Sequence, residues 1–322
     1  MEAMELKQEK ISRLQNFPIM FYAVVMGLGG LGVAYKALNE AFEISDTVFE
    51  ALRWTVLGVF SVITLMYLAK AVRYFGAVKA EFKHPIKLNF FAAFPISLFL
   101  LAVLFMDMTA FHDALFYTAL VIQTFVTLYI VSFWIRNNMM IQHSNPAWFI
   151  PIVGNLIVIL AASNAKSALC WYYFSVGIFF WMALFTIIFY RIIFHDQLAQ
   201  KFMPTLFILI APPAMAFLDY IKMGGGFDAF AHVLLNVTIF FVLLIFFMFR
   251  SFIGLKFFLS WWAFIFPTAA ASIAFTKAYG LTHEVTYAWM GVGMFAILCV
   301  LILVVAWHTI KNMMHGEVCV AE

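Results

Sequence analysis

Charge is scarce in this chain. Of 322 residues only 11% are Asp, Glu, Lys or Arg, against about 25% in an average soluble domain. Cysteine is scarcer still. Cys170, Cys299 and Cys319 stand far apart and form no CxxC pair, which excludes a disulfide framework and a metal knuckle. HExxH, GxSxG and any Asp-rich pair able to hold a metal-bound diphosphate are missing. No enzymatic activity, metal or cofactor is therefore expected. The amino-terminal MEAMELKQEKISRLQN is polar and of mixed charge, and lacks the pattern of a cleavable signal peptide. A net charge of +3 points to no nucleic-acid partner. In so apolar a chain, where the charges sit matters more than their sum.

What the chain has is apolar surface. Hydrophobic residues make up 66% of it, aromatics 19%, and phenylalanine alone contributes 40 residues. Mean hydropathy is +0.99. A water-soluble core of this size cannot hide that proportion, so an all-α integral membrane protein is expected. A membrane-spanning helix needs about 20 apolar residues, and ten stretches qualify: 17–37, 49–74, 87–106, 110–135, 146–164, 167–192, 203–221, 227–250, 256–278 and 283–310. The reading is a ten-helix domain over 17–311 between cytoplasmic tails at 1–16 and 312–322, with no room for a soluble domain. With the amino terminus inside, fourteen of the 19 Lys and Arg residues face the cytoplasm. Lys36, Arg53, Lys166, Lys222 and Lys277 face outward. Both termini are thus expected in the cytoplasm.

Odd and even spans differ in kind. Even spans are long and greasy, whereas all nine prolines lie in or just before odd spans: Pro18, Pro85 and Pro95, Pro146 and Pro151, Pro204, Pro212 and Pro213, and Pro267. Pro95, Pro212 and Pro267 fall in the middle of their spans, where a proline removes a backbone hydrogen bond and bends a helix. The pattern reads as five hairpins, each with a bent inner and a straight outer helix. Close packing of small residues in an ordinary membrane bundle is the competing account.

The odd spans are also empty of charge: 18–35, 88–106, 146–165, 202–218 and 257–276 contain no Asp, Glu, Lys or Arg. Cations precede each of them, among them Arg13, Lys87, Lys201 and Lys256. Five helix amino termini facing the same side would add the positive ends of five dipoles. If the five surround one axis, a cationic mouth leads into a neutral, apolar tube. The positive-inside tendency alone also explains the side on which these cations lie. Asp107, Asp219 and Lys36 fall at span ends and are placed at the interface, so a mid-membrane coupling residue is missing. His308 reads as a packing residue rather than a proton relay.

The segments around the prolines resemble those of the tellurite-resistance protein TehA, the plant slow-type anion channels and the fungal malate and sulfite transporters. The resemblance rests on FPIMFYAVVMGLGGLGVAY, EFKHPIKLNFFAAFPIS, NPAWFIPIVGN, APPAMAF and SWWAFIFPTAAASIAF, in that order on alternate spans. It implies five hairpins with quasi-fivefold symmetry around a central pore, and a homotrimer in the inner membrane with one pore per subunit. It implies a phenylalanine gate at Phe266, supported by Pro267, Met215 and, opposite it on the first helix, Ala23 where glycine is usual. Pro95, Pro151 and Pro212 would be the other inner-helix kinks. The expected activity is passage of small monovalent anions such as nitrate and chloride. Export of tellurite, sulfite or C4-dicarboxylates is the alternative.

Overall fold

A computed structural model describes residues 12–320; Lys7 and Lys10, counted above among the inner cations, lie outside them. Ten helical spans follow one another: α1 (Ile19–Phe42), α2 (Asp46–Arg73), α3 (Lys87–Leu104), α4 (Thr109–Arg136), α5 (Pro146–Ala161), α6 (Ala168–Phe194), α7 (Gln200–Lys222), α8 (Ala229–Phe247), α9 (Leu259–Thr282) and α10 (Val285–His315). Nine are long and apolar enough to cross a membrane, and α5 is shorter. A short helix, Phe75–Phe82, follows α2, where only a loop was expected. Among the described residues there is no strand.

Burial alternates as proline does. In the most apolar stretch of α1, α3, α7 and α9, 67–83% of residues are buried, against 17–39% in the even spans. α5 is buried along nearly its whole length. Each odd span packs against the even span after it. Each also packs against the next odd span: α1 on α3, α3 on α5, α5 on α7 and α7 on α9, with α9 returning to α1. The odd spans are thus an inner layer whose contacts close on themselves, and the even spans wrap it.

Every odd span begins as a 3₁₀-helix and continues as an α-helix. The tight segments are Ile19–Phe21, Lys87–Ala92, Pro146–Phe149, Gln200–Ile210 and Leu259–Phe264. The prolines explain four of the five switches. Pro95, Pro151, Pro212 and Pro267 are the third, second, second and third residues of their α segments. They stand in a first α turn rather than inside a continuous α-helix as the sequence suggested. The missing N–H costs little there, but the ring prevents the α pitch from extending further back. A 3₁₀-helix rises more per residue, so the 18 residues of α3 reach about 30 Å where a plain α-helix would reach about 27 Å. That extra rise helps short odd spans keep pace with long even ones.

Glycine sets how closely α1 approaches its two neighbours. A β-carbon at Gly27 would stand 3.0 Å from the Trp262 ring of α9, and one at Gly32 would stand 2.9 Å from Leu104 of α3. The segment GLGGLG offers bare backbone to both sides, as inner helices packed at short range require.

Candidate functional site

The first halves of the odd spans surround a small cavity of about 40 Å³. All five odd spans contribute to it: α1 through Met20, Ala23 and Met26, α3 through Phe90 and Ala93, α5 through Ile150 and Val153. α7 adds Thr205, Ile208 and Ala211, and α9 lines the remainder from Leu259 to Pro267. No lining residue lies further along its span than Met26, Ala93, Val153, Ala211 or Pro267. The cavity therefore lies in the half of the inner layer where the odd spans begin, and it reaches just past the switch from 3₁₀ to α. Beyond that level Ala269, Ala270, Ala271 and Ala274 of α9 are all buried in tight packing.

Phe266 and Pro267 stand at that closed end. Phe266 is only 6% exposed, and it is the second residue of the α segment Ile265–Thr282. Its ring lies over α1 at Gly30, where a β-carbon would be 3.3 Å from Cδ2 of the ring and 3.1 Å from the Ala269 β-carbon. Ala23, the residue expected opposite the ring, lines the same cavity but two helical turns earlier along α1 than Gly30. Trp262 is fixed from behind by its indole N–H, which donates to Oγ1 of Thr309 on α10 at 3.0 Å.

The lining carries no charge. Its two hydroxyls are committed to nearby carbonyls: Oγ1 of Thr205 donates to Phe202 at 2.6 Å and Oγ of Ser260 to Lys201 at 2.5 Å. Of the expected mouth cations, none is among the lining residues. Lys201 and Lys256 are exposed and Lys87 is half-buried, all three at the ends where their spans begin. Arg13 is exposed, and its guanidinium lies against Gly316 at the end of α10. Met215, Pro95, Pro151 and Pro212 are buried in the inner layer without lining the cavity. Among the described residues, no group of three or more His, Cys, Asp or Glu could hold a metal. His308 stacks on Phe257 with ring centres 5.9 Å apart.

Three polar features escaped the sequence. Asp219, assigned to the interface, is fully buried near the far end of α7, and among the described residues neither carboxylate oxygen has a hydrogen-bond partner. Nearby, the Lys222 ammonium donates to the Leu160 and Ala162 carbonyls at the end of α5, at 2.5 and 2.9 Å. Second, Gln123 of α4 enters the inner layer over Gly154, its amide donating to the Pro151 carbonyl at 2.9 Å and to Oγ1 of Thr127 at 3.0 Å. Third, the buried Lys70 ammonium is paired with Glu81 at 2.9 Å and donates to the Phe17 carbonyl at 2.8 Å. An amphipathic reading of the polar positions flags none of them, because the carbonyls of Leu160, Ala162, Pro151 and Phe17 that receive these groups lie far away in sequence. Asp107 does lie in a loop as expected, joining α3 to α4. The Arg53 guanidinium donates to both its oxygens at 2.8 Å and holds its carboxyl below the usual carboxylate range.

An all-helical bundle with a charge-free axial cavity, walled by alternate spans, is the architecture of a membrane channel or transporter. The voltage-dependent anion channel family, SLAC1, matches residues 16–310, and the chain belongs to that family. It is a multi-pass membrane protein. It is similar to the S-type anion channel SLAH2 of Arabidopsis thaliana, at 27% identity over 274 residues, 82% of this chain and 53% of the relative. Similarity to the guard cell S-type anion channel SLAC1 of the same plant is 26% over 284 residues, 84% of this chain and 51% of that one. The tellurite resistance protein TehA homolog of Haemophilus influenzae is 25% identical over 284 residues, 81% of each chain. The chain spans about half the length of the plant relatives.

Proposed function

We propose that this protein is an anion channel of the cell inner membrane, with both termini cytoplasmic, permeated along the axis enclosed by the odd spans and gated by Phe266. One observation carries the reading: the five-walled cavity is uncharged and ends at the Phe266 ring. The ring is an apolar plug, and an ion that must keep part of its water cannot pass it. Swinging the ring away from Gly30 would join the cavity to the outer half of the axis. Lys201 and Lys256, exposed where their spans begin, enrich anions at the mouth, and the helix amino termini reinforce them. The ions that pass best are small, monovalent and weakly hydrated, because a neutral apolar wall does not replace lost hydration. Nitrate therefore precedes chloride. Quasi-fivefold symmetry and a homotrimer with one pore per subunit complete the proposal, with residues 1–16 and 312–322 as tails.

The test is anion flux into liposomes. Phe266→Ala is expected to raise nitrate flux at least about tenfold over wild type, the scale of roughly 1.4 kcal/mol off a barrier. Unchanged flux would remove Phe266 from the gate, and chloride outrunning nitrate would overturn the selectivity argument. A carrier exporting tellurite, sulfite or a C4-dicarboxylate is the second reading. Asp219, buried and unpartnered, is the observation in its favour.

A further inference from the structure

Outside the inner layer, one face of α4 has an unusual composition. Phe125, Leu128, Tyr129, Ser132, Phe133 and Arg136 recur at intervals of three and four residues and line an open groove on the outer surface. Phe125 and Leu128 are 58% and 60% exposed, as residues facing acyl chains are. Arg136 closes the groove at the end of the bundle where the odd spans begin. It is exposed, and among the described residues it has no ion-pair partner and makes no hydrogen bond; the Ser132 hydroxyl makes none either. The Phe82 ring packs on Tyr129 with centres 4.4 Å apart. This contact brings the short helix Phe75–Phe82 alongside, with exposed Lys79 and Lys83 at its end. The groove spans about 18 Å of helix from Phe125 to Asn137. That is close to the depth of one leaflet, about 15 Å of hydrocarbon plus its headgroup layer.

An apolar trough one leaflet deep, with an unpaired guanidinium at headgroup level, is complementary to one occupant. We propose that this face of α4 binds an anionic phospholipid, its phosphate held by Arg136 and Ser132 and an acyl chain lying along Phe125, Leu128 and Phe133. The site depends on the protein being in a membrane, not on what the pore conducts. Arginine suits the role because its fork meets phosphate oxygens two at a time.

Native mass spectrometry of the purified protein in uncharged detergent provides the test. Phosphatidylglycerol, phosphatidylcholine of the same chains and inorganic phosphate are added in separate arms. Phosphatidylglycerol should remain bound in preference to phosphatidylcholine, and inorganic phosphate should neither bind nor displace it. Arg136→Gln should weaken that preference at least about fivefold, the worth of one cation near an anionic surface, while Arg136→Lys should keep most of it. Arg136 is exposed, so the melting temperature without lipid should not move. Equal retention of the two lipids by wild type would overturn the proposal, as would an undiminished preference in Arg136→Gln. Efficient cross-linking of two copies through Leu128→Cys would also overturn it, because a second copy would then be the occupant.

Discussion

Phe266 can line the cavity beside α1 because Gly30 leaves room for its ring. A side chain at position 30 would meet both that ring and Ala269, so Gly30→Val forces one of them to move. Overpacking of this kind costs about 1–3 kcal/mol. The ring yields more easily than the α9 backbone, since it borders the cavity. Gly30→Val is therefore expected to lower the melting temperature and also raise nitrate flux. Gly29→Val is the control, because a β-carbon at Gly29 meets Leu100 of α3 at 3.0 Å and not the ring; it should lose stability with no gain in flux. Equal flux in the two variants would separate Gly30 from the gate. Ala23 and Gly30 share one face of α1, seven residues apart. Which of them meets the ring depends on how far α1 slides along α9, a matter of tertiary packing that a sequence does not carry. Phe266 stands out in the sequence through its place before Pro267, not through being one of 40 phenylalanines.

Among the elements, the alternation of inner and outer spans was legible because proline, small residues and missing charge all change together. The 3₁₀ segments were not. Their hydrophobic pattern over three to eleven residues is too short to separate a period of 3.0 from one of 3.6. The short helix Phe75–Phe82 was hidden because the apolar run of α2 leads almost directly into it. Its attachment is energetically telling. Lys70, 1% exposed, joins the end of α2 to Glu81 of that helix and to the Phe17 carbonyl just before α1. The Tyr67 hydroxyl donates to the same Glu81 carboxylate at 2.9 Å. Removing one member strands the other in a dry site. Lys70→Met is therefore expected to destabilise by about 3–5 kcal/mol, whereas Lys70→Met combined with Glu81→Leu should recover much of that loss. Thermal unfolding in detergent reads the difference. A double variant no more stable than Lys70→Met would show that the pair's value lies elsewhere than in mutual neutralisation.

For the whole molecule, the choice between channel and carrier turns on a residue whose surroundings only the fold reveals. The sequence has no charge inside its odd spans, and from this a coupling group appeared to be absent. Asp219 then proves to be fully buried. Burial by itself does not make a coupling site. A proton coupled to each transport cycle must reach the carboxylate from one side and leave toward the other, which requires a wet path to it. Asp219 is not among the residues lining the cavity and lies far beyond the level where that cavity ends. Its neighbour Lys222 is committed to the Leu160 and Ala162 carbonyls, which fixes the end of α7 against α5. The pair thus resembles a rigid outer fastening rather than a moving relay. Passive flow then predicts that, at fixed voltage and fixed nitrate gradient, a one-unit pH gradient changes nitrate flux less than about twofold, in wild type and in Asp219→Asn alike. Coupling one proton per anion would instead add about 1.4 kcal/mol of driving force per pH unit, a tenfold change in the gradient sustained. Flux that rises with the proton gradient in wild type but not in Asp219→Asn would establish the carrier, with Asp219 as its proton site.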